Sequence, residues 1–198
     1  MMSPQARRSA AGLAFAGLAF AIGLSLVGFQ GALAQSQSPS PERVKELYFD
    51  AARTGRVDLL DGLIKAGIDP NEHDPRGFTP LILAAYNGQA QAVDFLIAKG
   101  ADPCTADPKG NNALMGVAFK GESKVADRLL TEHCDVNAAN NEGQTALMMA
   151  ALFGRTDIVR LLMAHGANSA LQDNAGNTAV GLARQQGNAE MVAILGGG

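Results

Sequence analysis

The 198-residue chain is poor in aromatic, histidine and cysteine residues. It has no Trp, two Tyr and eight Phe, together 5% of its residues, with three His and two Cys. A site that stacks nucleobases or sugars needs several exposed rings, so this scarcity argues against one. An excess of base is also missing, since 16 Lys and Arg stand against 19 Asp and Glu. Without a basic face or arm, we do not expect nucleic acid as a partner.

The chain also lacks the motifs by which common enzyme classes bind their reactants. No G-x-S-x-G turn occurs, and "DPKGNN" at 107–112 lacks the spacing of a phosphate-binding loop. His73, His133 and His165 have no Cys or carboxylate cluster at metal-ligand spacing. We therefore expect a protein that is not an enzyme, with no catalytic residue, no metal site and no cofactor.

Methionine supports an alternative function. Met115, Met148, Met149 and Met163 could bind copper in an exported protein, but all four occupy apolar positions of an internal repeat. Met at such positions usually fills a hydrophobic core. A periplasmic metal-handling or enzyme-accessory protein that uses Met and His residues is therefore the second hypothesis.

Charge is absent from residues 10–29, an apolar run that follows Arg7 and Arg8. The small residues Ala32 and Ala34 come shortly after this run. A positive start, an apolar middle and a small-residue exit are typical of a secretory signal peptide.

We expect residues 1–34 to be this signal peptide, with cleavage after Ala34, and residues 35–40 to be a flexible linker. The alternative is an uncleaved anchor, which would bring the chain to a membrane. Either way residues 41–198 are expected to be periplasmic or secreted. All 19 acids and 14 of the 16 bases lie beyond residue 34, so the exported part has a formal charge of −5.

An internal repeat of 33 residues fills most of this exported part. Gly77 recurs at 110, 143 and 176, and a second glycine recurs at 88, 121, 154 and 187. The segment "TPLILAAYNG" at 79–88 returns as "NALMGVAFKG", "TALMMAALFG" and "TAVGLARQQG". A fixed period of this length, free of insertions, is typical of stacked supersecondary units.

Each unit is predicted to be a turn followed by two short helices. Thr79 can cap the first helix, Pro80 suits its first position, and Gly88 favours its end. Apolar residues at helical spacing, such as Val93 and Leu96, indicate the second helix. Such short helices are not stable alone in water, so each unit must cover the apolar face of the next.

This pattern resembles the ankyrin repeat family. The resemblance rests on "DPRGFTPLILAAYNGQAQAVDFLIAKGADP" at 74–103 and "NNEGQTALMMAALFGRTDIVRLLMAHGAN" at 140–168. It implies an all-α ankyrin repeat solenoid of helix-turn-helix units with short β-turn tips, in a domain spanning residues 41–198. The units are expected at 41–73, 74–106, 107–139, 140–172 and 173–198.

The resemblance also implies a function in protein–protein interaction. Ankyrin repeats usually contact their partners through turn tips and the exposed ends of first helices, and large apolar residues exposed there usually mark an interface. The partner is expected to be another protein, which the sequence does not identify. Carried over by repeat position, the candidate partner-binding residues are Arg76, Phe78, Tyr86, Asn87, Lys109, Asn111, Phe119, Lys120, Glu142, Gln144, Leu152 and Phe153.

Unit 107–139 departs most from its sister units. Asn112 replaces the capping Thr, and His133 replaces the glycine that ends the second helix elsewhere. Gly116 stands where the sister units carry Leu or Met, so a core side chain is expected to be missing. We expect this unit to be the softest internal segment.

The two cysteines also interrupt the pattern. Cys104 stands where two sister units have Asn, and Cys134 stands where two have Ala. An oxidising compartment would favour a disulfide between them. Equivalent positions of neighbouring units lie about 8–10 Å apart, beyond the roughly 7 Å limit for bridged Cα atoms, but Cys104 lies three residues further along its unit. Two buried or partly buried free thiols are the alternative.

Overall fold

The computed structural model describes residues 40–196. The expected signal peptide at 1–34 and nearly all of the expected linker at 35–40 lie outside the described residues, as do residues 197–198. Within the part that is described, no helix is both long and apolar enough to cross a membrane.

Ten α-helices and two isolated β-bridges make up the regular structure of residues 40–196. The helices form five consecutive pairs, which confirms the all-α solenoid predicted from the sequence. Their bounds are α1 (Pro41–Thr54), α2 (Val57–Lys65), α3 (Pro80–Tyr86), α4 (Ala90–Ala98), α5 (Ala113–Lys120), α6 (Ser123–Leu130), α7 (Ala146–Leu152), α8 (Thr156–Ala164), α9 (Ala179–Gln185) and α10 (Ala189–Ile194).

Two layers of helices enclose the core. The first helices α1, α3, α5, α7 and α9 pack one on the next, and the second helices stack beside them in the same order. Small residues such as Ala84, Ala118 and Ala151 are completely buried in the first layer. Side chains this small let neighbouring helices approach closely, which is how short helices can share one continuous core.

The turns before α3, α5, α7 and α9 are each closed by the side chain at their first position. Asp74 accepts hydrogen bonds from the N–H groups of Arg76 and Phe78, each at 2.9 Å. Gly77 has φ +84°, a conformation that other residues rarely adopt. The Thr79 hydroxyl then caps α3 by accepting from the N–H of Ile82 at 3.2 Å.

Hydrogen bonds between turn tips join only some of the units. The Asn141 N–H donates to the Lys109 carbonyl, and the Asn174 N–H donates to the Glu142 carbonyl, both at 2.9 Å. The equivalent donor between units 74–106 and 107–139 is Pro108, which has no N–H. Within the described residues these two tips therefore share no hydrogen bond, and the Pro108 ring instead packs over Gly77.

Asparagine side chains link the ends of neighbouring second helices. Asn71 donates to the Gly100 carbonyl at 3.0 Å and accepts from the Asp102 N–H at 2.8 Å. Asn137 makes the same link between units 107–139 and 140–172, with Gly166 and Asn168 as its partners. Each asparagine thus fixes the exit of one second helix to that of the next.

A disulfide takes the place of this asparagine link between units 74–106 and 107–139. Cys104 occupies the asparagine position and is bonded to Cys134, with Cα atoms 5.4 Å apart. That separation lies in the usual range of about 4.4–6.8 Å for disulfides. Cys104 is exposed and Cys134 is half-buried.

Helix α6, which precedes Cys134, ends differently from its counterparts. After α4 the Ala101 N–H donates to the Leu96 carbonyl at 2.9 Å, across Gly100 with φ +91°. The equivalent bond, from Cys134 to Leu129, is missing in this described segment, where His133 replaces the glycine. The disulfide therefore lies at a helix end that lacks the closing hydrogen bond present after α4.

Candidate functional site

A groove of about 790 Å³ lies along the turn tips and first helices of units 74–106 and 107–139. Its apolar lining consists of Phe78, Ile82, Leu83, Tyr86, Pro108, Met115, Gly116, Phe119 and Met149. Its polar lining consists of Arg53, Arg76, Asn87, Asp107, Lys109, Asn111 and Asn112. A concave apolar surface with few polar groups is the usual form of a binding site.

Three exposed rings, here called the aromatic row, border this groove. Tyr86, Phe119 and Phe153 are 39%, 36% and 41% exposed. The rings of Tyr86 and Phe119 are nearly parallel with centroids 6.0 Å apart, and Phe153 meets Phe119 edge-on at 4.4 Å. The row therefore presents a continuous aromatic surface across three units, and its rings hold one another in place.

Basic side chains surround this apolar surface. Arg76 lies over the Phe78 ring at 4.8 Å, and Lys120 lies over the Tyr86 ring at 5.1 Å. Lys109, which lies between these two residues in the sequence, also lines the groove. Within residues 40–196, none of these three cations forms an ion pair.

The acidic groups at the groove are engaged in the turns. Asp107, the only carboxylate in its lining, accepts from the N–H groups of Lys109 and Asn111, each at 2.8 Å. Asp74 is buried and pairs with Arg53 at 3.0 Å. Arg76, Lys109 and Lys120 thus outnumber Asp107, the one carboxylate of the lining, although the whole chain carries a net charge of −3.

Gly116 opens additional space in the groove. Its equivalents Leu83 and Met149 line the groove, whereas a Cβ at Gly116 would meet only Tyr86, at 3.5 Å. Leu83 and Leu182, at 8% and 6% exposure, belong to the buried core, and Leu83 also lines the groove. Gly116 therefore omits a side chain where the core meets the groove. The space it leaves is open to a ligand.

Seven of the twelve residues expected to bind a partner line this groove. They are Arg76, Phe78, Tyr86, Asn87, Lys109, Asn111 and Phe119.

The other five expected residues lie outside the groove lining. Lys120 and Phe153 adjoin it through their contacts with the rings of Tyr86 and Phe119. Glu142 is exposed, while Gln144 and Leu152 are half-buried; Gln144 accepts from the Asn140 side chain at 3.3 Å, and Leu152 packs against the core. A role for all twelve in partner binding stays a prediction.

Sequence reasoning missed several residues that shape the groove. Arg53 comes from the first unit, which has no turn signature, so nothing in the pattern marks it. Ile82, Met115 and Met149 occupy apolar positions that the pattern assigns to the core. The signal that could have pointed to this place is Gly116, the one break in an otherwise filled series of positions.

Within residues 40–196, no group of three or more His, Cys, Asp or Glu side chains could hold a metal ion. Met115 and Met148 are each only 2% exposed, and Met163 packs against the core. Met149 is half-buried, packs against the core and lines the groove, so all four Met side chains contribute to the core that their repeat positions predict.

Comparison with known families agrees with the geometry. The family model described as ankyrin repeats (3 copies) matches residues 48–140 and, in a second match, residues 114–197. A comparison with curated proteins gave no match.

Proposed function

Since the chain belongs to the ankyrin repeat family, we propose that it is an exported module that binds a partner protein on the groove and the aromatic row. Ankyrin repeats generally serve in protein–protein interaction.

The aromatic row is the observation that carries the proposal. Three large rings remain between 36% and 41% exposed and in mutual contact, although the core beside them is well filled. Adjacent exposed apolar side chains are unfavourable in water and usually mark an interface. Buried aromatic residues also supply much of the binding free energy of interfaces.

The N-terminal pattern supports the export part of the proposal. An apolar run after Arg7 and Arg8, ending in Ala32 and Ala34, suits a secretory signal peptide. An exported protein with an exposed aromatic surface and a net negative charge fits a protein partner in the periplasm or outside the cell.

Crosslinking in the native envelope tests the docking surface. The triple variant Y86A/F119A/F153A should lose the partner that the wild-type chain captures, because the row is removed while the core is kept. The matched control is L47A, since Leu47 is 40% exposed on α1 and does not line the groove. Circular dichroism should show that all proteins remain folded.

Unchanged capture by the folded triple variant contradicts this docking surface. Equal loss in the triple variant and in L47A contradicts it as well, because the effect is then not specific to the row.

A further inference from the structure

We propose that the groove binds an acidic segment of the partner protein, and that this segment inserts one large apolar side chain into the space at Gly116. The inference rests on the proposed function and specifies the chemistry of the partner.

The charge of the groove selects an acidic segment. Arg76, Lys109 and Lys120 form no ion pair within the described residues, whereas most other bases there pair with acids. Two of the three are held over aromatic rings, at 4.8 and 5.1 Å, so their positions are fixed before binding. Complementary charge accelerates encounter and disfavours basic partners.

The shape of the groove selects an apolar side chain as well. The position of Gly116 is filled in three sister units, by Leu83, Met149 and Leu182. At Gly116 itself a Cβ would contact only the Tyr86 ring and its Cβ, at 3.5 and 3.8 Å. A partner could insert a side chain of the size of Leu or Met here. It would occupy the place that the chain's own Leu or Met occupies in the sister units.

The number of anchors follows from the repeat. Because the equivalent positions of the sister units are occupied, the described array offers one such space, at Gly116. It is bordered by Tyr86, and Phe119 lines the same groove, so an inserted side chain would pack against aromatic rings. An apolar anchor in a pocket ringed by such side chains is how interfaces concentrate their binding free energy.

Selection of peptides on the purified full chain tests this inference. A random peptide display library, screened at low salt, should yield binders rich in Asp and Glu that share one large apolar residue. Their affinity should fall as salt is added, because exposed charges are then screened.

Two matched pairs of variants assign the binding to these features. G116L should weaken the selected peptides by about tenfold or more, since it fills the space that the anchor would enter. G62L is its control, because Gly62 lies in α2 and a Cβ at this position would have nothing within 4 Å. K120E should weaken them by several-fold, while K124E, at an exposed lysine outside the groove lining, should not.

The outcomes separate this inference from the proposed function. Selected peptides that lack acidic residues, or that bind G116L and K120E like the wild type, overturn the inference; if they still depend on the aromatic row, the proposed function stands. Peptides that ignore the triple variant Y86A/F119A/F153A overturn both. Selection that yields no binder also counts against both.

Discussion

At the scale of single residues, Tyr48 is a core side chain whose polar group lacks a hydrogen bond within the described residues. It is completely buried in α1, and its hydroxyl has no hydrogen-bond partner within the described residues. Burial, reinforced by the nearby charges of Asp69 and Glu72, raises the pKa of this phenol far above its usual range. The folded state therefore keeps Tyr48 neutral under conditions in which the unfolded chain ionises it.

Replacing this residue, as Tyr48→Phe, should raise the free energy of unfolding by up to about 1 kcal/mol, because an unpaired buried hydroxyl is removed. A raised pKa in the folded state also means that wild-type stability falls as pH rises above about 10, and the variant should lose less. Urea unfolding at neutral and alkaline pH measures both effects. Tyr86→Phe is the control, since the Tyr86 side chain is exposed; the same alkaline response in both variants contradicts the assignment.

A side chain at position 116 should raise stability but weaken binding of the proposed apolar anchor. Gly116→Ala should stabilise α5 by roughly 0.5–1 kcal/mol through helix propensity, and the added methyl group has room beside Tyr86. Gly62→Ala should give a similar gain in α2 without touching the groove. Thermal unfolding of both variants measures the gains, and a lower melting temperature for Gly116→Ala contradicts the prediction.

At the scale of elements, the disulfide and the asparagine link are two solutions for the same junction. Cys104→Ala with Cys134→Ala should lower stability by up to roughly 3–4 kcal/mol, the value expected for a closed loop of about 30 residues. The triple variant C104N/H133G/C134A restores the residues of the sister units and should recover part of this loss.

Two measurements check the junction. Titration of the denatured, unreduced protein should find no free thiol, and two thiols per chain contradict the bond. Melting temperatures should rank the wild type first, the triple variant second and the double alanine variant last; equal values for the two variants contradict the proposed equivalence.

The second prediction at this scale concerns local opening after reduction. Unit 107–139 then loses its covalent link and still has the incomplete end of α6 and the low helix propensity of Gly116. Hydrogen exchange on reduced protein should therefore show residues 112–134 opening before residues 145–163. The reverse order would contradict the lower local stability predicted for unit 107–139.

At the scale of the whole molecule, the proposed export would bring Cys104 and Cys134 into a compartment that favours their disulfide. Cleavage after Ala34 predicts a mature chain that begins at Gln35. Intact mass of the protein recovered from the periplasm or the medium measures this directly. Recovery of the uncut chain in the membrane fraction supports the anchor instead, and a cytoplasmic location contradicts export.

The sequence predicted the repeat because each step of the pattern has a local cause. Thr79 and Pro80 favour a helix start through local interactions alone, and the 33-residue period is typical of stacked units. The groove could not be predicted in the same way, since it depends on which side chains a neighbouring unit covers. Phe78 is half-buried while Tyr86 remains exposed, and Arg53 reaches the groove from another unit.

Pro108 has a consequence for the mechanics of the array. Units 74–106 and 107–139 are bonded covalently where their second helices end, through Cys104 and Cys134, yet within the described residues they share no hydrogen bond at their turn tips. This junction is therefore held by a covalent bond at its helix ends and by the packing of Pro108 against Gly77 at its turn tips. Arg76 and Lys109, one from each tip, both line the groove, so the width of the groove depends on a tip-to-tip spacing that no hydrogen bond sets.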